Sequence, residues 1–149
     1  MPGAERARAA VVDASVAVKW VVDEPGSGAA AALLDAPILW LAPQLLVVEV
    51  AAAIRRKVAG RELRTDVGLG ALAAVLDAVR EGAVRLVDDE ALVTSALLLS
   101  LSLAHRVPDC LYLALAEREG CALSTADVRL ARLARSRKVP ILELRETTP

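Results

Sequence analysis

Four carboxylates stand out by their settings. Asp13 closes the apolar run in VVDAS, Glu49 interrupts LLVVEVAAAI, Asp109 opens VPDCLYLALA, and Asp127 follows CALSTA. Glu49 is the most informative, because every neighbour from Leu45 to Ile54 is Leu, Val, Ile or Ala, so no face of a helix there reads as solvent-exposed. A lone carboxylate in such surroundings costs several kcal/mol unless it is paired or bound to a metal. Each acid also has a plainer use: Asp109 at the positive end of a helix dipole, Asp127 as a helix cap, Asp13 as a turn residue, Glu49 beside a buried arginine. Together they offer hard oxygen ligands of the kind Mg2+ or Mn2+ requires. Carboxylates held within about 4–6 Å of one another repel, so at least one is expected to carry a raised pKa. No His or Lys base accompanies Ser15, which disfavours a serine nucleophile. His105, the only histidine, sits at a helix end and is expected to be structural or at the surface.

These acids need elements to hold them. Short apolar runs at Ala9–Val12, Ile38–Leu41, Ala83–Val87, Cys121–Leu123 and Val139–Leu142 read as five strands. Helical patterns separate them: Val16–Val22, Ala29–Leu34, a long helix from Pro43 to Ala59 stopped by Gly60, and Leu63–Arg80 weakened by Gly68 and Gly70. A further helix capped by Asp88 or Asp89 runs to Ala104, another from Pro108 to Glu119, and a last one from Val128 to Arg137. Strands alternating with helices imply a mainly parallel sheet of five strands with right-handed crossovers and helices on both faces. In such sheets, ligands gather outside the carboxyl ends of the strands, where Asp13 and Asp127 fall.

Composition limits the alternatives. The 149 residues suit one domain, residues 1–149, and 56% hydrophobic residues exclude a disordered chain or a disulfide miniprotein. Only Trp20, Trp40 and Tyr112 are aromatic, too few for a base-stacking platform. The longest stretch free of charge, Ala91–Ala104, is shorter than the roughly 18 residues of a spanning helix. The N-terminal MPGAERARAA does not read as a signal peptide, and a soluble cytoplasmic protein is expected. Cys110 and Cys121 fit no metal or redox spacing and are expected to be buried thiols. The net charge of −1 does not mark a nucleic-acid binder, but its distribution is uneven. Arg55, Arg56, Lys57, Arg61 and Arg64 form one basic run, and Arg129, Arg132, Arg135, Arg137 and Lys138 another. Either run alone is ordinary for a solvated helix face; two in one small domain suggest a phosphate-facing patch, with Arg55, Arg56, Arg61, Arg132 and Arg135 as its candidate contacts. Arg56 lies seven residues after Glu49, on the same helix face.

VVDASVAVKW, LLVVEVAAAIRR, VPDCLYLALAE and LSTADVRLARLA, in that order, resemble the PIN domain and, more closely, the VapC-type toxins of bacterial toxin–antitoxin pairs. The resemblance runs from about Val11 to Leu144. It implies a three-layer α/β/α sandwich and a Mg2+-dependent endoribonuclease, with Mn2+ as a possible substitute. Asp13, Glu49, Asp109 and Asp127 match the family's acidic quartet. Asp13 and Asp109 are the firmest expected ligands, and Glu49 and Asp127 are open to acting through water. Ser15 and Thr125 match the hydroxyls of the first and fourth motifs. The resemblance further implies an RNA substrate, a cognate antitoxin, a homodimer and no membrane. A bound Mg2+ would polarise a phosphodiester oxygen and supply hydroxide from coordinated water. Among rivals, a haloacid-dehalogenase-like phosphatase lacks its second Asp, because Ser15 stands there. A receiver domain lacks its central lone Asp. A free-standing nuclease, or a PIN fold kept as a protein-binding scaffold, remains the alternative.

Overall fold

The computed structural model describes residues 8–145. Four strands form one parallel sheet: β1 (Arg8–Val12), β2 (Ile38–Pro43), β3 (Val84–Val87) and β4 (Ala122–Ser124), in the order β3-β2-β1-β4. Seven helices connect them: α1 (Ala14–Val21), α2 (Ser27–Leu34), α3 (Leu45–Ala59), α4 (Thr65–Arg80), α5 (Asp89–Leu103), α6 (Val107–Glu119) and α7 (Val128–Ser136). The chain steps from β1 to β2 to β3 in one direction and then back across β1 to β4. With right-handed crossovers, that reversal sends α5 and α6 to the face opposite α1–α4. The packing agrees: α1 meets α2, α3 and α4, whereas α6 lies along β1, β2 and β4 with α5 against it. The core reads as expected for a parallel sheet covered on both sides, with Ala10, Val11 and Val12 of β1 fully buried.

Three departures from the sequence expectation have simple causes. Val139–Leu142 is not a fifth strand but a single parallel bridge between Ile141 and Leu123. Two 2.9 Å hydrogen bonds close it, Leu123 N to Pro140 O and Leu142 N to Leu123 O, and Pro140 brings no N–H with which to extend the ladder. Pro43 ends β2, paired with Val87, instead of starting a helix; α3 begins at Leu45. Asp88 occupies the start of α5 without capping it. Asp89 instead accepts from Leu45 N at 3.1 Å and so ties the start of α5 to the start of α3.

Gly68 is a packing residue as well as a helix weakener. A Cβ there would stand 2.9 Å from Ile54 Cγ2, so the bare backbone lets α4 press against α3. Of the cysteines, Cys110 is buried as expected while Cys121 is only half-buried; both are free thiols. No single helix among the described residues is long and apolar enough to cross a membrane.

Candidate active site

The floor of the site is the place where the strand order reverses, between β1 and β4. Asp13 follows β1 directly and continues the ladder, its N–H donating to Ser124 O at 3.1 Å. It is also the N-cap of α1, accepting from Val16 N at 3.3 Å. Its carboxylate is 5% exposed and has hydroxyls on both sides. Ser15 Oγ donates to Oδ1 and Thr125 Oγ1 donates to Oδ2, each at 2.5 Å. Burial pushes the Asp13 carboxyl up to about 6, against the opposing pull of these hydrogen bonds. The expected shift is therefore present, but its cause is desolvation, not repulsion by neighbouring acids.

The other three acids reach the same cleft from α3, from α6 and from the link between β4 and α7. Glu49 comes from α3, whose buried stripe is Leu46, Val50 and Ile54. The expectation that this stretch has no exposed face fails at Val48, which is 66% exposed. Glu49 itself is half-buried, and its partner is the Tyr112 hydroxyl, which donates to Oε1 at 2.5 Å. Burial raises the Glu49 carboxyl, and the charge of Asp109 adds to the rise against the Tyr112 bond. The Tyr112 hydroxyl is raised in turn, first by burial and then by its bond to Glu49.

Asp109 lies in the first turn of α6 and is 8% exposed. Arg106, at the N-cap position, wraps back onto it, Nε to Oδ2 at 3.2 Å and Nη2 to Oδ2 at 3.1 Å. His105 Nε2 stands 2.9 Å from the same Oδ2 without hydrogen-bond alignment; the ring is buried, not at the surface, and it touches Asp109. Asp127 performs its plainer role as well, capping α7 by accepting from Arg129 N at 2.8 Å and Leu130 N at 3.2 Å.

All four acids line one cleft of about 630 Å³, together with Ser15, Tyr112, Arg56 and Arg106. Thr125 reaches it through Asp13. Among the described residues no three of these groups converge tightly enough to grip one ion as they stand. Hydroxyls hold Asp13, a phenol holds Glu49 and a guanidinium holds Asp109. The donor chemistry nonetheless fits a hard divalent ion, because the cleft presents the carboxylate oxygens of four acids, two of them, Asp13 and Asp109, buried.

The basic candidates divide. Arg56 lines the cleft, with no ion-pair partner among the described residues. Arg55, Arg61, Arg132 and Arg135 are exposed and do not line it, and Arg135 is bonded to Glu143 at 2.7 Å. At the far end of the cleft, Glu24 binds Lys19 at 3.1 Å and also Lys57, pinning the turn after α1 to α3. A charge run says how many bases a helix carries but not which way they point. If Arg56 meets phosphate, Arg56→Glu should weaken RNA binding regardless of sequence and make its salt dependence shallower by about one unit of slope, while Arg135→Glu leaves the slope unchanged. Filter binding between low and moderate salt measures both; equal slopes for both variants would return Arg56 to the solvated surface. Sequence reading missed Arg106 and Lys19. The signal for Arg106 was present, a base three residues before an acid at a helix start.

Comparison with known proteins completes the site. A family model for the PIN domain matches residues 10–136. No curated protein matches the chain. Among solved structures, the crystal structure of PAE2754 from Pyrobaculum aerophilum is similar, with a TM-score of 0.64 and 20% identity over 93% of this chain and 85% of that one. VapBC2 from Rickettsia felis, bound to a DNA fragment from their promoter, also has a TM-score of 0.64, with 12% identity over 92% of this chain and 99% of that one.

Proposed function

Because the chain belongs to the PIN domain family, we propose that it is a Mg2+-dependent endoribonuclease, the toxin of a type II toxin–antitoxin pair. PIN domains are generally nucleases that use divalent metal ions. One observation carries the reading: Asp13, Glu49, Asp109 and Asp127, drawn from the ends of β1 and β4 and from α3 and α6, line a single cleft. In this reading water is the attacking group, and the hydroxyls of Ser15 and Tyr112 are spent in holding Asp13 and Glu49.

Asp13, Glu49, Asp109 and Asp127 would hold the ion. When bound, the ion supplies charge against the phosphodiester and lowers the pKa of water. The chain's own residues supply order. Ser15 and Thr125 fix both oxygens of Asp13, so this carboxylate enters the site with one orientation. Tyr112 holds one oxygen of Glu49, Oε1. Arg56 and Arg106 add positive charge at the mouth, where a phosphate backbone would arrive.

An antitoxin partner and a homodimer complete the proposal. The neighbour from Rickettsia felis is a VapBC assembly. The exposed apolar stripe of α5, Val93, Leu97, Leu98 and Leu101, supports a face that a partner chain covers. The first test is cleavage of an end-labelled RNA pool. Mg2+ should support internal cuts, and excess EDTA should abolish them until Mg2+ or Mn2+ is restored. Undiminished cutting in EDTA would remove the metal from the mechanism.

A further inference from the structure

We propose that Arg106 is the resident counter-ion of the acidic cleft and that a divalent cation must displace its guanidinium to reach Asp109. The inference rests on the reading of the cleft as a divalent-ion site. The Arg106 side chain is 74% exposed, yet its Nε and Nη2 cover both oxygens of Asp109, Nη2 lying 3.1 Å from Oδ2 and 3.4 Å from Oδ1. The charges of Glu49 and Asp127 also act on it. One guanidinium therefore bonds one of the four acids and feels the charge of two others.

The two sides of this contact are unequal. Arg106 can return to water at little cost, because an exposed arginine gains little from an ion pair. Asp109 is 8% exposed, and a carboxylate so buried is costly to leave without a cation. A second observation says which neighbour stays behind. The His105 side chain is 4% exposed, and its Nε2 stands 2.9 Å from Asp109 Oδ2 without a hydrogen-bond partner. The buried ring thus stays with Asp109 while the exposed guanidinium is free to leave. A divalent ion would bring two charges to oxygens that now share one. Linkage makes the effect reciprocal: the ion loosens Arg106 from Asp109, and removal of Arg106 tightens the ion.

The test is a Mn2+ titration of the EDTA-dialysed full chain, with free Mn2+ read by electron paramagnetic resonance. Arg106→Gln should lower the Kd about tenfold, and Arg106→Lys, which keeps the charge but loses the fork, by less. Arg56→Gln removes another positive charge from the cleft without touching Asp109 and should change the Kd by less than about threefold. In the wild type, Mg2+ should also move the Arg106 Nε–H resonance. An Arg106→Gln protein that binds Mn2+ no tighter than wild type, or no tighter than Arg56→Gln, overturns the proposal and leaves the divalent-ion reading standing. A wild-type chain that takes up no Mn2+ overturns both.

Discussion

Asp13→Asn and Asp109→Asn should each slow RNA cleavage at saturating Mg2+ by on the order of 10²–10³ or more, the scale of one lost electrostatic contact at a reacting phosphate. The two substitutions are informative because neither should unfold the chain. An Asn at position 13 keeps an oxygen for Val16 N and an amide that can donate to Thr125 Oγ1, so the cap and the junction of β1 with β4 survive. An Asn at position 109 keeps its place in the first turn of α6. Asp127→Asn should cost less, because Oδ1 of this acid is occupied in capping α7. Ser15→Ala and Thr125→Ala, which loosen Asp13 without removing its charge, should cost less again, about tenfold. Single-turnover cleavage with circular dichroism on the same samples separates lost chemistry from lost fold. An Asp13→Asn or Asp109→Asn enzyme within a few-fold of wild type would mean that the geometry of the cleft serves something other than hydrolysis.

Much of this site was legible in the sequence because strand ends announce themselves. An apolar run that stops at an acid, as in VVDAS, fixes both the strand and the position of its side chain at the carboxyl edge. The failures lie where orientation matters more than type. Glu49 reads as a charge in need of a metal or an arginine, but its partner is the hydroxyl of Tyr112, 63 residues away. Tyr112 belongs to the same motif as Asp109, yet periodicity does not show that its ring crosses under α3. The basic runs read as one patch, whereas helix geometry turns Arg56 into the cleft and Arg55 and Arg132 to solvent. Arg106 was overlooked because a base before a helix is unremarkable until its i,i+3 acid proves to be buried. The fifth strand failed on one residue, Pro140, whose missing N–H the hydropathy pattern does not register. The three aromatics are spent on packing: Trp40 and Tyr112 are buried, and half-buried Trp20 meets Trp40 edge-on and donates to Ala30 O.

Stability in the absence of metal should fall as pH rises, and Asp13 should account for most of the fall. Its carboxyl lies near 6 in the folded chain against an ordinary value of 3.8. Between these values the native state binds more protons than the unfolded one, so unfolding free energy decreases with pH. The favourable contribution is fully present below about 4 and is lost as pH passes through about 6. The span of roughly two pKa units corresponds to about 3 kcal/mol. Glu49, also raised by burial, adds to the same trend. Asp13→Asn should therefore melt higher than wild type at pH 7 in EDTA and no higher at pH 4. Asp109→Asn should have the opposite effect on the melting temperature at pH 7. Sequence reading would give it the same sign, but its carboxylate is matched by Arg106 and touches His105, so Asp109→Asn removes a compensated charge and should lower the melting temperature at pH 7. Excess Mg2+ should raise the wild-type melting temperature by mass action and should raise both variants less. Thermal melts at pH 4 and 7, in EDTA and in Mg2+, read all of these signs at once. Parallel pH profiles for wild type and Asp13→Asn would mean that the buried carboxyl is fully satisfied by Ser15, Thr125 and Val16 as a structural cap. The strain that primes it to accept a cation would then be absent.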